Sequence, residues 1–287
     1  MRRMNWTITT LTTLVMAATI FVAPAAATES TVPGLPVYLA LGDSWAYGQG
    51  AAEPATGGYV AQLDSALEQD LDCLPAESDE AADGCRHLQL LNLARPATDT
   101  LPGVTTPAVA SEQLPVAIPL LEARNEDANP RNNVEVITLQ VGGNDVSGPI
   151  QTACILGSPQ DCAIAFLTLM PQLETDLDNV VSQLRTAAGD ETTIVLGTYD
   201  NPVPYCYLAG IPGAVELGAM VLEGTPDEFL DGIHDVVRRV AARYDAEVAE
   251  VFGQLGSGDF VGGADCKHPT DTGHDIVTNA FRSAIDG

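Results

Sequence analysis

The chain has 287 residues, 46% of them hydrophobic, and sets 12 Lys+Arg against 39 Asp+Glu for a net charge of −27. Acidity on that scale repels phosphate backbones and anionic lipid surfaces, which excludes nucleic acid and anionic membranes as partners. The length beyond the N-terminal leader suits a single α/β domain, and no internal repeat or linker-like tract divides it.

The chain opens with Met1-Arg2-Arg3-Met4, an apolar, threonine-rich stretch to Val22, and then Ala25-Ala26-Ala27. A basic start, an apolar middle and a small-residue cleavage site predict a signal peptide over 1–27 and a secreted domain over 28–287. The alternative is a membrane anchor, since the uncharged stretch from Asn5 to Ala27 is nearly long enough to span a bilayer. The many threonines, the late Pro24 and the alanine run favour cleavage, and no later segment is apolar for long enough to insert. A soluble monomer is expected.

Val37–Leu41 reads as a short buried strand ending in Gly42-Asp43-Ser44. Val60, Leu63, Leu67 and Leu71 have helical spacing and predict a helix over 59–71. Leu88–Leu93 is a second strand and Val134–Val141, rich in β-branched residues, a third. Leu173–Ala188 is an amphipathic helix and Thr193–Gly197 a fourth strand. Pro226–Tyr244 reads as a helix with Thr225 as N-cap and Pro226 in the first turn. Glu247–Val251 is a last strand, and a closing helix runs from about Thr270 to Ile285. The intervening stretches 111–133, 148–171 and 202–226 read as long loops. Alternating strands and helices predict a parallel sheet covered on both faces, with any site beyond the carboxyl ends of the strands. Ser44, the segment 92–98 and Gly142–Asp145 all fall there.

Six cysteines suit an exported, oxidised protein and allow 15 connectivities. Proximity favours Cys73–Cys85 and Cys154–Cys162, which leaves Cys206–Cys266. None of the spacings resembles a zinc site.

Three segments carry chemistry. Ser44 is a weak nucleophile unless a base removes its proton. His268 is the candidate base, and Asp265, three residues earlier, can reach the other imidazole nitrogen and fix the tautomer. Asn144, after Gly142-Gly143, can offer a side-chain amide to a developing oxyanion, as can the backbone N–H of Ser44. Asp43 and Asp145 read as supports of their own turns. Trp45, Tyr47 and Tyr59 either line an acyl pocket or simply pack. His274 reads as a surface histidine at a helix start, and His87 and His234 have no supporting constellation.

These blocks in this order resemble the SGNH, or GDSL-type, hydrolases. Gly42-Asp43-Ser44 matches the first block, with Trp45 where leucine is frequent. Gly142-Gly143-Asn144-Asp145 matches the third, and Asp265 with His268, followed by Pro269, matches the last. The second block departs from the pattern: Asn92-Leu93-Ala94-Arg95-Pro96-Ala97-Thr98 lacks the glycine whose N–H joins the oxyanion hole. Ungapped, Ala97 takes its place and keeps an N–H; if Pro96 takes it, that donor is missing. The resemblance implies a flavodoxin-like, three-layer α/β/α sandwich with a parallel central sheet. It also implies hydrolysis of carboxylic esters, lipid or acyl, through an acyl-serine intermediate, with no cofactor and no metal. Alternatives are a carbohydrate O-acetyl esterase, a lipid acyltransferase, or a catalytically silent binding domain of the same fold.

Overall fold

The computed structural model describes residues 34–70, 88–98, 103–127, 129–263 and 265–287. The expected signal peptide, Cys73, Cys85 and His87 lie outside the described residues.

Five parallel strands form the sheet: β1 (Val37–Gly42), β2 (Gln89–Asn92), β3 (Val134–Gln140), β4 (Thr193–Gly197) and β5 (Glu247–Ala249), in the order β2-β1-β3-β4-β5. This is the flavodoxin-like order, in which the chain reverses its direction of growth between β1 and β3. Every residue of β1 is buried, and so is all of β3 except Glu135. The apolar run of β1 and the largely β-branched run of β3 are what strands covered on both faces require.

The helices are α1 (Ser44–Tyr47), α2 (Pro54–Gly57), α3 (Tyr59–Asp70), α4 (Thr106–Ala108), α5 (Leu114–Asn125), α6 (Gly143–Leu156), α7 (Pro159–Ala188), α8 (Ala214–Glu223), α9 (Ile233–Arg243) and α10 (Asp271–Asp286). Helices α3 and α10 pack together over one face; α5, α7 and α9 form the layer over the other. Tyr59 of α3 stacks on Phe281 of α10 with ring centroids 4.7 Å apart, so this ring belongs to the core. Among the described residues no helix is long and apolar enough to cross a membrane.

The sequence reading needs correction in three places. The stretches 111–133 and 148–171 are mainly helical, holding α5, most of α6 and the first part of α7, and 202–226 contains α8. Pro119, Pro149 and Pro171 lie inside helices. All three are exposed, and the helix continues through each. Helix α7 starts fourteen residues before its expected start, at a capping box in which Ser158 and Asp161 cap one another.

Helix α9 begins at Ile233, not Pro226. Thr225 does cap, but its hydroxyl accepts from the N–H groups of Phe229 and Leu230 and closes a turn. Glu228 takes a left-handed conformation, φ 58°, which ends that turn. The helix restarts where Asp235 accepts the Gly232 N–H.

Candidate active site

Because the strand order reverses between β1 and β3, the loops after these two strands part and leave a crevice. Gly42, Asp43 and Ser44 leave β1 on one side of it; Gly142, Gly143 and Asn144 leave β3 on the other. Gly42 adopts φ 142°, and a Cβ there would lie 2.2 Å from the Gln140 carbonyl oxygen, so only glycine fits the turn. Gln113 grips this residue twice, accepting its N–H at 2.9 Å and donating to its carbonyl at 2.8 Å. Asp43 then caps α1, accepting the Trp45 N–H at 2.9 Å and placing Ser44 at the first helical position.

The carboxyl terminus brings the partners. His268 Nε2 lies 2.8 Å from Ser44 Oγ, and His268 Nδ1 lies 2.7 Å from Asp265 Oδ2. Asp265 Oδ1 also accepts the N–H groups of Lys267 and His268, both at 3.2 Å. Burial opposes the charge on Asp265, but the hydrogen bond and charge of His268, together with these backbone donors, outweigh it and hold the carboxyl below its ordinary value. An ionised carboxylate only accepts, so Nδ1 carries the imidazole proton and Nε2 is free to accept from Ser44.

The loop bearing Asp265 and His268 is fastened from several sides. Trp45 Nε1 donates to the Lys267 carbonyl at 2.9 Å, Val261 N–H to the His268 carbonyl at 2.9 Å, and Phe260 and Pro269 form a β-bridge. A disulfide joins Cys206 to Cys266, and a second joins Cys154 to Cys162. Cys154–Cys162 is a pairing that proximity favours, and Cys206–Cys266 the one left over by it.

Asn144 borders the same crevice. Its Nδ2 donates to the Val104 carbonyl at 3.0 Å, which orients the amide and leaves its second hydrogen for another acceptor. Gly142 takes φ 121° at the start of α6. Asp145 does not brace the Asn144 turn; its carboxylate accepts the Thr106 N–H at 2.9 Å and anchors α4. Burial pushes the Asp145 carboxyl up to about 6, against the pull of that N–H. Ala97 also borders the crevice, but its N–H is already donated to Gln49 Oε1 at 2.9 Å.

The crevice opens into a cavity of about 730 Å³. Ser44, Trp45, Asn144, Asp265 and His268 lie at its base, and Val203, Leu208, Val221 and Leu222 add an apolar wall. Tyr207 stands at the edge, 66% exposed. Of the aromatic residues near Ser44 in sequence, Trp45 borders the cavity while Tyr47 is exposed and Tyr59 lies in the core. Among the described residues no group of three or more His, Cys, Asp or Glu side chains is placed to hold a metal ion.

Sequence reasoning missed Tyr199. Its hydroxyl donates to Asp43 Oδ2 at 2.7 Å and its ring lies against Gly143, so it spans the β1 and β3 loops. Its ring meets Trp45 edge-on at 5.3 Å. Burial raises the Asp43 carboxyl to about 6, with the Tyr199 and Trp45 hydrogen bonds pulling it back. The position directly beyond β4 was the available signal.

Two histidines also differ from expectation. His234 has a constellation: its Nε2 accepts the Tyr199 N–H at 3.0 Å and its Nδ1 pairs with Glu223, which Arg238 also contacts. His274 is fully buried rather than on the surface. Its Nδ1 accepts from Tyr59 N–H at 3.3 Å and its Nε2 donates to the Gln49 carbonyl at 3.2 Å.

The profile of the GDSL-like lipase/acylhydrolase family matches residues 40–276. No curated protein matches in sequence. Among solved structures, a lipase from a goat rumen metagenome is 17% identical with a TM-score of 0.61, over 87% of this chain and 97% of that one. An extracellular lipase from Streptomyces rimosus is 16% identical with a TM-score of 0.57, over 87% and 99%. An acetylxylan esterase from Geobacillus stearothermophilus is 15% identical with a TM-score of 0.50, over 88% and 94%. At these identities the likeness is one of fold.

Proposed function

The chain belongs to the GDSL-like lipase/acylhydrolase family, and from that premise we propose that it is an exported serine esterase that hydrolyses carboxylic esters through an acyl-Ser44 intermediate. One observation carries the reading: the continuous line Ser44 Oγ, His268, Asp265, with contacts of 2.8 and 2.7 Å, at the base of an open cavity. Export is supported by the leader-like composition of 1–27 and by the two disulfides, which persist in oxidising compartments.

Ser44 Oγ attacks the ester carbonyl as its proton passes to His268 Nε2. Asp265 holds the Nδ1–H and stabilises the imidazolium. The carbonyl oxygen becomes an oxyanion, met by the Ser44 N–H at the start of α1 and by Asn144 Nδ2. Collapse breaks the bond to the alcohol, which leaves with the proton from Nε2. Water then repeats the sequence on the acyl-serine, releasing the acid and restoring Ser44.

The apolar wall of Val203, Leu208, Val221 and Leu222 favours an acyl chain as the group the cavity holds. A second reading, a carbohydrate O-acetyl esterase, draws on Tyr207 and Tyr205, exposed at 66% and 43% on the segment that borders the cavity. An exposed ring is a surface on which a sugar stacks. A series of p-nitrophenyl esters from two to sixteen carbons, with Ser44→Ala as the control, tests both. Turnover should peak above two carbons and fall on the order of a million-fold in Ser44→Ala. A sharp optimum at acetate, with acetylated xylan as a good substrate, favours the second reading. Residual activity of Ser44→Ala within tenfold of wild type contradicts both.

A further inference from the structure

The resting site leaves the oxyanion short of a donor. Among the N–H groups on residues that border the cavity with Ser44 are the Ser44 backbone, Asn144 Nδ2, the Ala97 backbone and Gln49 Nε2. Ala97 is the residue aligned with the missing second-block glycine, yet its N–H is donated to Gln49 Oε1 at 2.9 Å. A backbone N–H only donates, so the Gln49 atom facing it must be the oxygen, and the orientation of this carboxamide follows. Its Nε2 meets no acceptor among the described residues, and the residue borders the cavity.

Gln49 is also held firmly relative to Ser44. Its N–H donates to the Ser44 carbonyl at 2.8 Å, and its carbonyl accepts from the buried His274 at 3.2 Å. The backbone is fixed at both groups and the side chain at its oxygen. An amide whose oxygen already accepts a hydrogen bond is a stronger donor through its nitrogen.

We propose that Gln49 Nε2 is the third oxyanion donor of this enzyme, replacing the backbone N–H that Ala97 has committed to Gln49 itself. The proposal rests on the esterase reading. It makes the side chain a catalytic residue, because it touches the reacting oxygen, and it explains how the second block tolerates the loss of glycine.

The test compares hydrolysis of an ester with that of its thiono counterpart, in which sulfur replaces the carbonyl oxygen and accepts hydrogen bonds poorly. In Gln49→Met the oxo-ester kcat should fall roughly a hundred-fold with KM within about threefold, as loss of one oxyanion donor does. The thiono ester should lose much less, so the oxo-to-thiono ratio shrinks by about tenfold or more. Gln49→Glu keeps an acceptor for the Ala97 N–H but has no N–H of its own, and its ratio should shrink as well; it carries the test if Gln49→Met does not fold. Equal losses on both esters, with the ratio unchanged, overturn the proposal and leave Gln49 as a brace for the Ala97 segment. Turnover near wild type in either variant overturns it too, in favour of Ala97. A wild-type protein that hydrolyses no ester contradicts the esterase reading itself, whereas an active wild type with unchanged ratios contradicts Gln49 alone.

Discussion

Among the described residues two buried histidines carry a carboxylate on Nδ1, and one of them, His268, faces a serine hydroxyl. His268 is 2% exposed beside an Asp265 that is 29% exposed; His234 is 0% exposed beside a Glu223 that is 30% exposed. Both carboxyls titrate low, Glu223 at about 2 through its hydrogen bond from His234, and both select the same tautomer. The difference lies on Nε2. His268 meets the Ser44 hydroxyl at the base of the cavity; His234 meets the backbone N–H of Tyr199 in the core. An amide N–H has no proton to surrender near neutral pH, so the second pair fixes a loop and performs no chemistry. A histidine–carboxylate pair is therefore not a catalytic signal by itself; the group on the far nitrogen, and access to it, decide.

Exchanging the two histidines for alanine breaks this comparison most directly. His268→Ala should lower turnover on the order of a million-fold while the urea midpoint stays near wild type. His234→Ala should retain the chemistry but lose about 2–4 kcal/mol of stability, because it opens a cavity and orphans the Tyr199 N–H. Turnover and urea denaturation of both variants check it; a stable, inactive His234→Ala contradicts the division of roles. The carboxylates give the next effect. Asp265→Asn should cost about ten-thousand-fold in kcat by favouring the wrong tautomer. Glu223→Gln should leave kcat within a few-fold and cost only about 1 kcal/mol, since Glu223 is partly solvated.

The disulfide sharpens the comparison from the loop side. Cys266 lies next to Asp265 and is bonded to Cys206, so this crosslink holds the loop of Asp265 and His268 to the segment after β4, where Tyr199 also sits. Replacing both cysteines with serine should reduce turnover by roughly ten- to a hundred-fold at temperatures where circular dichroism still reports a folded protein. The same change should remove a few kcal/mol of stability.

The strands and the three chemical blocks were legible because each is local. The apolar run of β1 and the β-branched run of β3 announce those strands, and Ser44, Asn144, Asp265 and His268 stand in short motifs at strand ends or on one loop. What was not legible is made by long-range contacts. Gln113 closing on Gly42, Tyr199 holding Asp43, and His234 holding Tyr199 each join residues far apart in sequence. The helix starts failed for a local reason: Thr225-Pro226 has the composition of an N-cap, but φ 58° at Glu228 turns it into a closed loop. The stretches 111–133 and 148–171, expected as loops, are mainly helical, and Pro119, Pro149 and Pro171 lie inside their helices at exposed positions.

A third histidine extends the comparison, with the smallest effect. His274 has no carboxylate on its ring, and burial holds it neutral, down at about 4 against 6.5 in the unfolded chain. As pH falls from about 6.5 towards 4 the unfolded chain takes up this proton before the fold does. Stability from this site is thus whole above 6.5 and is lost across that window. The raised carboxyls of Asp43, Asp64 and Asp145, all at about 6, act in the opposite sense by binding protons first in the fold. The difference between wild type and His274→Gln isolates the histidine. Between pH 7.5 and 4.5 wild type should lose about 2–3 kcal/mol more than the variant in urea denaturation.

The central claim is that Ser44, activated by His268, is the group that becomes acylated. A fluorophosphonate probe followed by peptide mapping reads this directly. One adduct is expected, on the peptide containing Ser44, absent from Ser44→Ala and slowed strongly in His268→Ala. No adduct on the folded wild-type protein, or an adduct on another residue that persists in Ser44→Ala, contradicts the account.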